Sequence, residues 1–570
     1  AGQHQPRSEE ELDGRIAEIL QEYEENLDNL RSADLQLSSL DNLDPVPNDL
    51  AASWQNDVLQ PVWKDRRHIR KDLVQAYGSA LEHSNRVKIL GELPLIRETA
   101  IRELQGDYDW VVFGQGQFNH VNEPTSSELT TGFTGRFNED KASVDYGFRR
   151  ILANGAQFSV THSMATLDSN STFLDPNPQT SSGLVFSVVQ PLGAGSGVEY
   201  SRARLKIVKL DAEMANAEYL RGLQSHLVQV NRAYWQIYLA RAAYLQRDTL
   251  VEETAQIVAD LEKRGDVDTG ATQSALLRAQ STLAKNRASL IRGEMAIYNS
   301  EERLRVLLND PDFELGDDGE FIPLNSPVLS PPSGDIRSTV QSAIYNRPEI
   351  AQAVVQMRSA GLRRDLQQNE LKPKLDFIIE GSVAGNDSGR DFGGALGDQF
   401  QYGAGWRSGL RFEDSLQGNQ KKARYLRREY ELRQQSNQLR SSLDQVVLEG
   451  VVTYRELLTA YREMQGTWQA LLAAREEVKE LKARIDVDAD ANNTVGAQLQ
   501  LILDAIERRQ AAEEALLASI VNYNVAFTSV ELAKGSLLSY HNIDIKRERE
   551  AGIDKHHEAL ERIEASLSEQ

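Results

Sequence analysis

With 570 residues and 40% hydrophobic content the chain can bury a substantial core, while a net charge of -22, from 63 basic and 85 acidic residues, argues against a nucleic-acid partner. Cysteine is absent, so no disulfide, thiolate metal site or lipidated N-terminal cysteine is expected. No run approaches the ~18 consecutive apolar residues of a spanning helix, so any membrane crossing is expected to be β. The start, AGQHQPRSEE, has no basic-then-apolar segment and is expected to be a mature N-terminus.

Residues 1–65 carry the amphipathic stretch Glu10 to Leu30 and isolated Trp54 and Trp63, and are expected to form a partly ordered N-terminal extension; helices follow over 66–106. Residues 107–192 have strand character. In Asp109 to His120 one face reads Trp110, Val112, Gly114, Gly116, Phe118, and the other Val111, Phe113, Gln115, Gln117, Asn119. A hairpin-like pair comes next, Ala142 to Arg149 with Val144, Tyr146 and Phe148 on one face, and Ala156 to Met164 with Phe158 and Val160. It reads as an extension beyond the membrane, with membership of a barrel wall as the alternative. Gly183 to Gln190, carrying Leu184 and Phe186, is the last strand of this half.

Residues 193–310 form a helical hairpin. The run Gly193-Ala194-Gly195-Ser196-Gly197 lacks a Walker lysine and reads as a turn. Helical patterns run from about Ser201 to Arg264 and from about Ala271 to Asn309, and no proline falls between Pro191 and Pro311. The first arm reaches roughly 96 Å at about 1.5 Å per residue. Leu227, Val230, Tyr234, Tyr238, Leu245, Val251, Ile257, Val258 and Leu261 recur at threes, fours and sevens, and Leu276, Leu277, Leu283, Leu290, Ile297, Leu304 and Leu307 repeat this on the return. A dimeric coiled coil or rod has the same spacing, but alanines on other faces, Ala240, Ala242 and Ala243, allow packing on a second side.

Residues 311–345, with Pro311, Pro323, Pro327, Pro331 and Pro332, read as a linker laid on a surface. The order then recurs: a helix over 346–372, strands over 373–413, and a helical hairpin over 414–540, from about Gln420 to Ile485 and from Ala497 to about Ser539. Leu375 to Val383 carries Leu375 and Phe377. In Tyr402 to Phe412, Tyr402, Ala404, Trp406, Leu410 and Phe412, interrupted only by Ser408, alternate with Gly403, Gly405, Arg407, Gly409 and Arg411. An apolar face opposite two arginines suits a lipid-facing wall around a wet lumen. A half-buried sheet shows the same period, and the helices, too long for a compact globule, favour the barrel. Residues 541–570 form a charged tail.

The chain resembles the TolC-like outer-membrane efflux proteins from Asp72 to about Tyr540. The resemblance rests on Asn346-Arg347-Pro348-Glu349-Ile350 leading to Lys372-Pro373-Lys374-Leu375, on Gln190-Pro191-Leu192, and on Arg264-Gly265 followed by Gly270-Ala271 and Leu276-Leu277-Arg278-Ala279. Asn493-Thr494-Val495-Gly496 and Leu501-Ile502-Leu503-Asp504-Ala505 look like the equivalent turn and returning helix. It implies a mainly α protein with a membrane β-barrel portion: two internal repeats, and a homotrimer sharing one barrel and one α-helical coiled-coil periplasmic tunnel, with the Pro-rich linker wrapped at mid-height. Also implied are an outer-membrane exit duct extending into the periplasm, a periplasmic adaptor, an inner-membrane pump and outer-membrane lipid as partners, and efflux or secretion as the process. A structural tubule of the cell envelope is the alternative.

The site residues follow. Trp110, Phe118, Leu184, Phe186, Leu375, Phe377, Tyr402, Trp406 and Phe412 are expected to face lipid, and Arg407 and Arg411 the lumen. Gly265, Asp266, Asp268, Thr269 and Gly270, with Asn493, Thr494, Val495 and Gly496, are the expected adaptor-docking tips. Asp486, Asp488 and Asp490 are a candidate acidic aperture, with a solvated loop as the plainer reading; the run lacks the glycine and terminal glutamate of an EF-hand. His556-His557 has no ligand set at metal spacing, and no catalytic constellation or cofactor motif stands out, so no enzyme activity, metal or cofactor is expected.

Overall fold

The computed structural model describes residues 9–27, 46–47, 56–125, 127–132, 134–265, 270–401, 403–487 and 495–543. The chain divides into two compact units, the first Ala1–Asp13, Ile96–Met214 and Val354–Gln438, the second Gly14–Leu95, Ala215–Ala353 and Leu439–Gln570.

The first unit is organised by a six-stranded antiparallel sheet. Its strands are β2 (Val111–Pro124), β3 (Arg136–Ile151), β4 (Gln157–Ser169), β5 (Gln179–Pro191), β7 (Lys374–Ser388) and β8 (Gly405–Glu413), paired in that order. The pair over 142–164 is therefore no separate extension: β3 and β4 are hydrogen-bonded along their lengths between β2 and β5, which corrects that expectation. The physical reason is register. Phe148 stands opposite both Val112 and Val160, so the pair continues its neighbours' apolar rows without a step.

After β5 the chain must turn sharply against β7. Leu192 N donates to Leu375 O at 2.7 Å, and a Cβ on Gly193 would lie 2.1 Å from Pro373 O. Asn369 Oδ1 accepts from Gly195 N at 2.9 Å. The glycine-rich run is thus a turn, as its missing lysine implied. β8 begins at Gly405, later than expected, and Tyr402 lies outside the described residues.

The second unit is helical. Most of α5 (Val198–Gly265) and α10 (Asn419–Val487), of 68 and 69 residues, belongs to it, with the 39-residue helices α6 (Gly270–Leu308) and α11 (Val495–Ala533). Leu227, Val230, Tyr234 and Tyr238 of α5 are buried with Leu304 of α6, Leu517 and Val521 of α11, and Tyr77 of α2 (Leu73–His83). Toward the hairpin ends, Val258 and Leu261 pack with Ala275, Ala279, Leu283 and Leu503. The periodicity read from sequence thus serves side-by-side hairpins within one chain. Gln500–Ala533 is apolar enough to cross a membrane by length and composition, although it holds no run of ~18 consecutive apolar residues; 56% of its apolar window is buried in the unit, as in a core helix.

One further expectation is corrected. α11 stops at Ala533 rather than Ser539, because Gly535 takes a φ of 74° and its missing Cβ admits the Asn346 backbone; the chain resumes as α12 (Leu537–Tyr540). The 311–345 linker carries two regular elements. β6 (Glu320–Pro323) pairs in parallel with β1 (His68–Lys71), and α7 (Ile336–Asn346) starts at an Asp335 cap.

Of the N-terminal extension, residues 9–27, 46–47 and 56–65 are described. Within the helical unit, α1 (Glu9–Asn26) docks through Tyr23, whose hydroxyl donates to Asp444, and Glu22, which accepts from Arg440 at 2.8 Å. Residues 56–63 are held by a buried clasp. Arg241 and Glu320 are ion-paired with neither side chain accessible; Arg241 donates to Val58 O and to Gln60 O (2.6 Å), and Glu320 accepts from Val62 N at 2.8 Å.

Candidate functional site

The sheet separates its residues by chemistry. Across β2 to β8 one row in register reads Val112, Phe148, Val160, Phe186, Gly381 and Trp406. The adjacent row, on the opposite face, reads Arg149, Ser159, Ser187, Glu380 and Arg407 from β3 to β8. Alternation along each strand alone produces this separation.

Away from the β7–β8 connection the apolar face is left bare. Val112 is 83% exposed, Trp406 81% and Phe118 70%, with Leu410 and Phe412 at 68%. Phe118, Leu184, Phe186, Leu375, Phe377, Trp406 and Phe412 share this face by register, and Trp110, one residue before β2, meets Phe148 of it edge-on at 5.4 Å. At the end nearer the β3–β4 turn, aromatic rings run side by side: Trp110 to Phe158 at 5.6 Å and Phe158 to Phe186 at 5.0 Å, both edge-on.

Arg407 and Arg411 share the polar face. Arg407 is ion-paired with Glu380, and Arg411 stands opposite Asp376. Gln115, Gln117, Asp145 and Thr161 also belong to it, and Phe113, Arg149, Ser159 and Ser187 line a hollow of about 560 Å³ there.

Two edges of the sheet stay unpaired among the described residues: the outer side of β2 and that of β8, where all nine residues are exposed. An unpaired edge of this length is a template for another strand.

One element escaped the sequence reading. Between β7 and β8 the short helix α9 (Phe392–Asp398) lies on the apolar face of β5 and β7. Gln399 Oε1 accepts from Ser182 Oγ at 2.9 Å and lies 3.1 Å from His162 Nε2. Asp391 followed by a short apolar run was the available signal, obscured by the glycines around it. The Arg241–Glu320 clasp was missed too, because buried charges leave no periodic trace.

The expected docking and aperture residues are only partly placed. Gly265 and Gly270 end α5 and begin α6, Val495 and Gly496 open α11, and Asp486 is in the last turn of α10. Asp266, Asp268, Thr269, Asp488, Asp490, Asn493 and Thr494 lie outside the described residues. Just behind the tips the two hairpins are bridged: Lys285 to Glu507 at 3.4 Å and Arg509 to Glu253 at 2.7 Å.

Similarity to solved structures is consistent across several bacterial channels. The chain is 14% identical to the outer-membrane channel OprN, covering 87% of this chain and 97% of that one, with a TM-score of 0.59. It is 14% identical to the outer membrane protein VceC of Vibrio cholerae (81% and 96% covered, TM-score 0.57). It is 12% identical to the MtrE outer membrane channel of Neisseria gonorrhoeae, solved in an open state (82% and 89%, TM-score 0.55). No protein-family model and no curated protein matches the chain. The fold is that of TolC-like outer-membrane channels.

Proposed function

We propose that the protein is a passive outer-membrane exit duct, in which copies of the chain share one barrel and one helical tunnel. The carrying observation is the sheet: a bare apolar face with an aromatic row, a polar face opposite it, and two free edges. In water such a face would drive aggregation; in a bilayer it is the required outer surface. Strand direction alternates over an even number of strands, so the β8 edge of one copy runs antiparallel to the β2 edge of the next. Three copies of six strands give eighteen, enough to enclose an aqueous lumen, whereas six alone do not. The similar proteins OprN and MtrE are outer-membrane channels, which supports the same reading.

The polar face then lines the lumen, and cargo is delivered by an inner-membrane pump through a periplasmic adaptor that docks at the tips, Gly265 to Gly270 and Asn493 to Gly496. Bulky replacements of Asp268, Thr269 and Gly270 should abolish export and leave the assembly intact; unchanged export removes the docking role. Asp486, Asp488 and Asp490 form a cation-binding collar at that end, because like carboxylates about a narrow axis repel. Unchanged divalent block in the triple Asn variant removes it. The reading as a whole is tested by reconstituting the purified protein in planar bilayers. Stepwise single-channel currents are expected, and a particle that inserts without conducting overturns it.

A further inference from the structure

The apolar face has a polar fault. Toward the Ser169 end of β4 that face turns polar, with Thr166 and Thr180 beyond His162 and Ser182; His162 and Ser182 are both buried and both beneath Gln399 just after α9. Facing hydrocarbon directly, an imidazole and a hydroxyl would be costly, because lipid offers no hydrogen-bond partner. The β7–β8 connection covers them.

Seven residues are too few for a helix to be stable alone, so α9 is held by its seat. Asp391 accepts from Gly393 N at 2.9 Å and Gly394 N at 3.1 Å, closing its first turn. Beneath it Gly385 supplies bare backbone: a Cβ there would sit 2.2 Å from Ala395 O and 2.4 Å from Gln399 N. Ala395 and Gln399 face down and are buried. Phe392, Leu396 and Phe400, four apart, form the stripe flanking them, exposed by 44%, 45% and 67%.

We propose that this helix is a lipid-contact cover: it seals the His162–Ser182 patch and presents Phe392, Leu396 and Phe400 to the hydrocarbon of the surrounding leaflet. The occupant follows from continuity, since the stripe lies on the same face as Trp406 and Leu410, and whatever solvates that face solvates the helix laid on it. The proposal rests on the channel-wall reading above.

The native chain has no cysteine, so single labels are clean. Phe392→Cys, Leu396→Cys and Phe400→Cys, each carrying a nitroxide, are reconstituted in phosphatidylcholine vesicles. Accessibility to molecular oxygen, which partitions into lipid, is compared with that to a water-soluble nickel chelate. Trp406→Cys and Phe412→Cys report the sheet face, and Ser127→Cys a distant polar loop. The expected result is an oxygen-to-nickel ratio several-fold above that of Ser127→Cys at all three α9 positions, matching Trp406→Cys. Nickel access at the α9 positions with lipid-like values at 406 and 412 overturns the cover alone. Labels shielded from both reagents would mean that a second copy covers the stripe, which also overturns it. Nickel access at 406 and 412 too would overturn the wall reading and this proposal together.

Discussion

The two units handle apolar surface and charge in opposite ways. In the helical unit Tyr234, Tyr238, Leu227 and Phe321 are sealed inside, and even an ion pair, Arg241–Glu320, has no access to water. In the sheet unit Trp406, Leu410, Phe412 and Val112 stand out while the charged Glu380–Arg407 pair sits on the other face. On the proposed reading both follow the same rule of removing apolar groups from water: a helical unit that hides its aromatics would meet water, and a sheet that displays them would meet lipid.

The largest effect that would probe this contrast lies in the clasp. Arg241→Ala leaves the Glu320 carboxylate buried without its partner and should cost about 3–5 kcal/mol, read as the unfolding midpoint in denaturant. Arg241→Met combined with Glu320→Leu should cost much less, since no charge is then stranded. Equal losses in both variants would mean that packing, not charge, fixes residues 56–63.

Next comes Glu301, where burial pushes the carboxyl up to about 7 from an ordinary 4.5, although Phe321 N donates to it at 2.9 Å. The folded state therefore keeps a proton that the unfolded chain releases near pH 4.5. This contribution is full below that pH and is lost as pH rises through about 7. It amounts to about 3 kcal/mol at about 1.4 kcal/mol per unit. Glu301→Gln should flatten the stability profile over this window in far-UV circular dichroism melts; a slope identical to the native one would show that another group titrates.

On the sheet, Leu410→Lys places a charge on the bare apolar face and should lower folding stability in bilayers by about 2–4 kcal/mol if it lies at mid-depth and less near an interface. Ser159→Lys, on the opposite face, should cost little. A reversed order would invert the assignment of the faces. The smallest effect is expected from Arg407→Gln with Arg411→Gln: stability unchanged, and a measurable shift of ion selectivity toward cations if both line the lumen. Unchanged selectivity would remove them from the conducting path.

Much of this was legible in the residues because alternation and threes-and-fours spacing are local. Trp406 against Arg407 fixes a two-faced strand, and Leu227, Val230, Tyr234 fix a buried stripe. What was illegible depended on partners distant in sequence. The 142–164 pair read as an extension because nothing within it records that β2 and β5 flank it. Glu320 read as linker because its partners, Arg241 and Val62, are distant in the chain. His162, Ser182 and Gln399 meet only through the β7–β8 connection.

The central claim, that neighbouring copies close one barrel through the β2 and β8 edges, is tested most directly by disulfide scanning in the cysteine-free chain. Double variants pair Cys at 113, 115 or 117 of β2 with Cys at 407, 409 or 411 of β8, all on the polar face. Oxidation in membranes should trap at least one pair as a covalent trimer on denaturing gels. Monomer alone from every pair, or a ladder ending at dimer, would contradict a shared barrel.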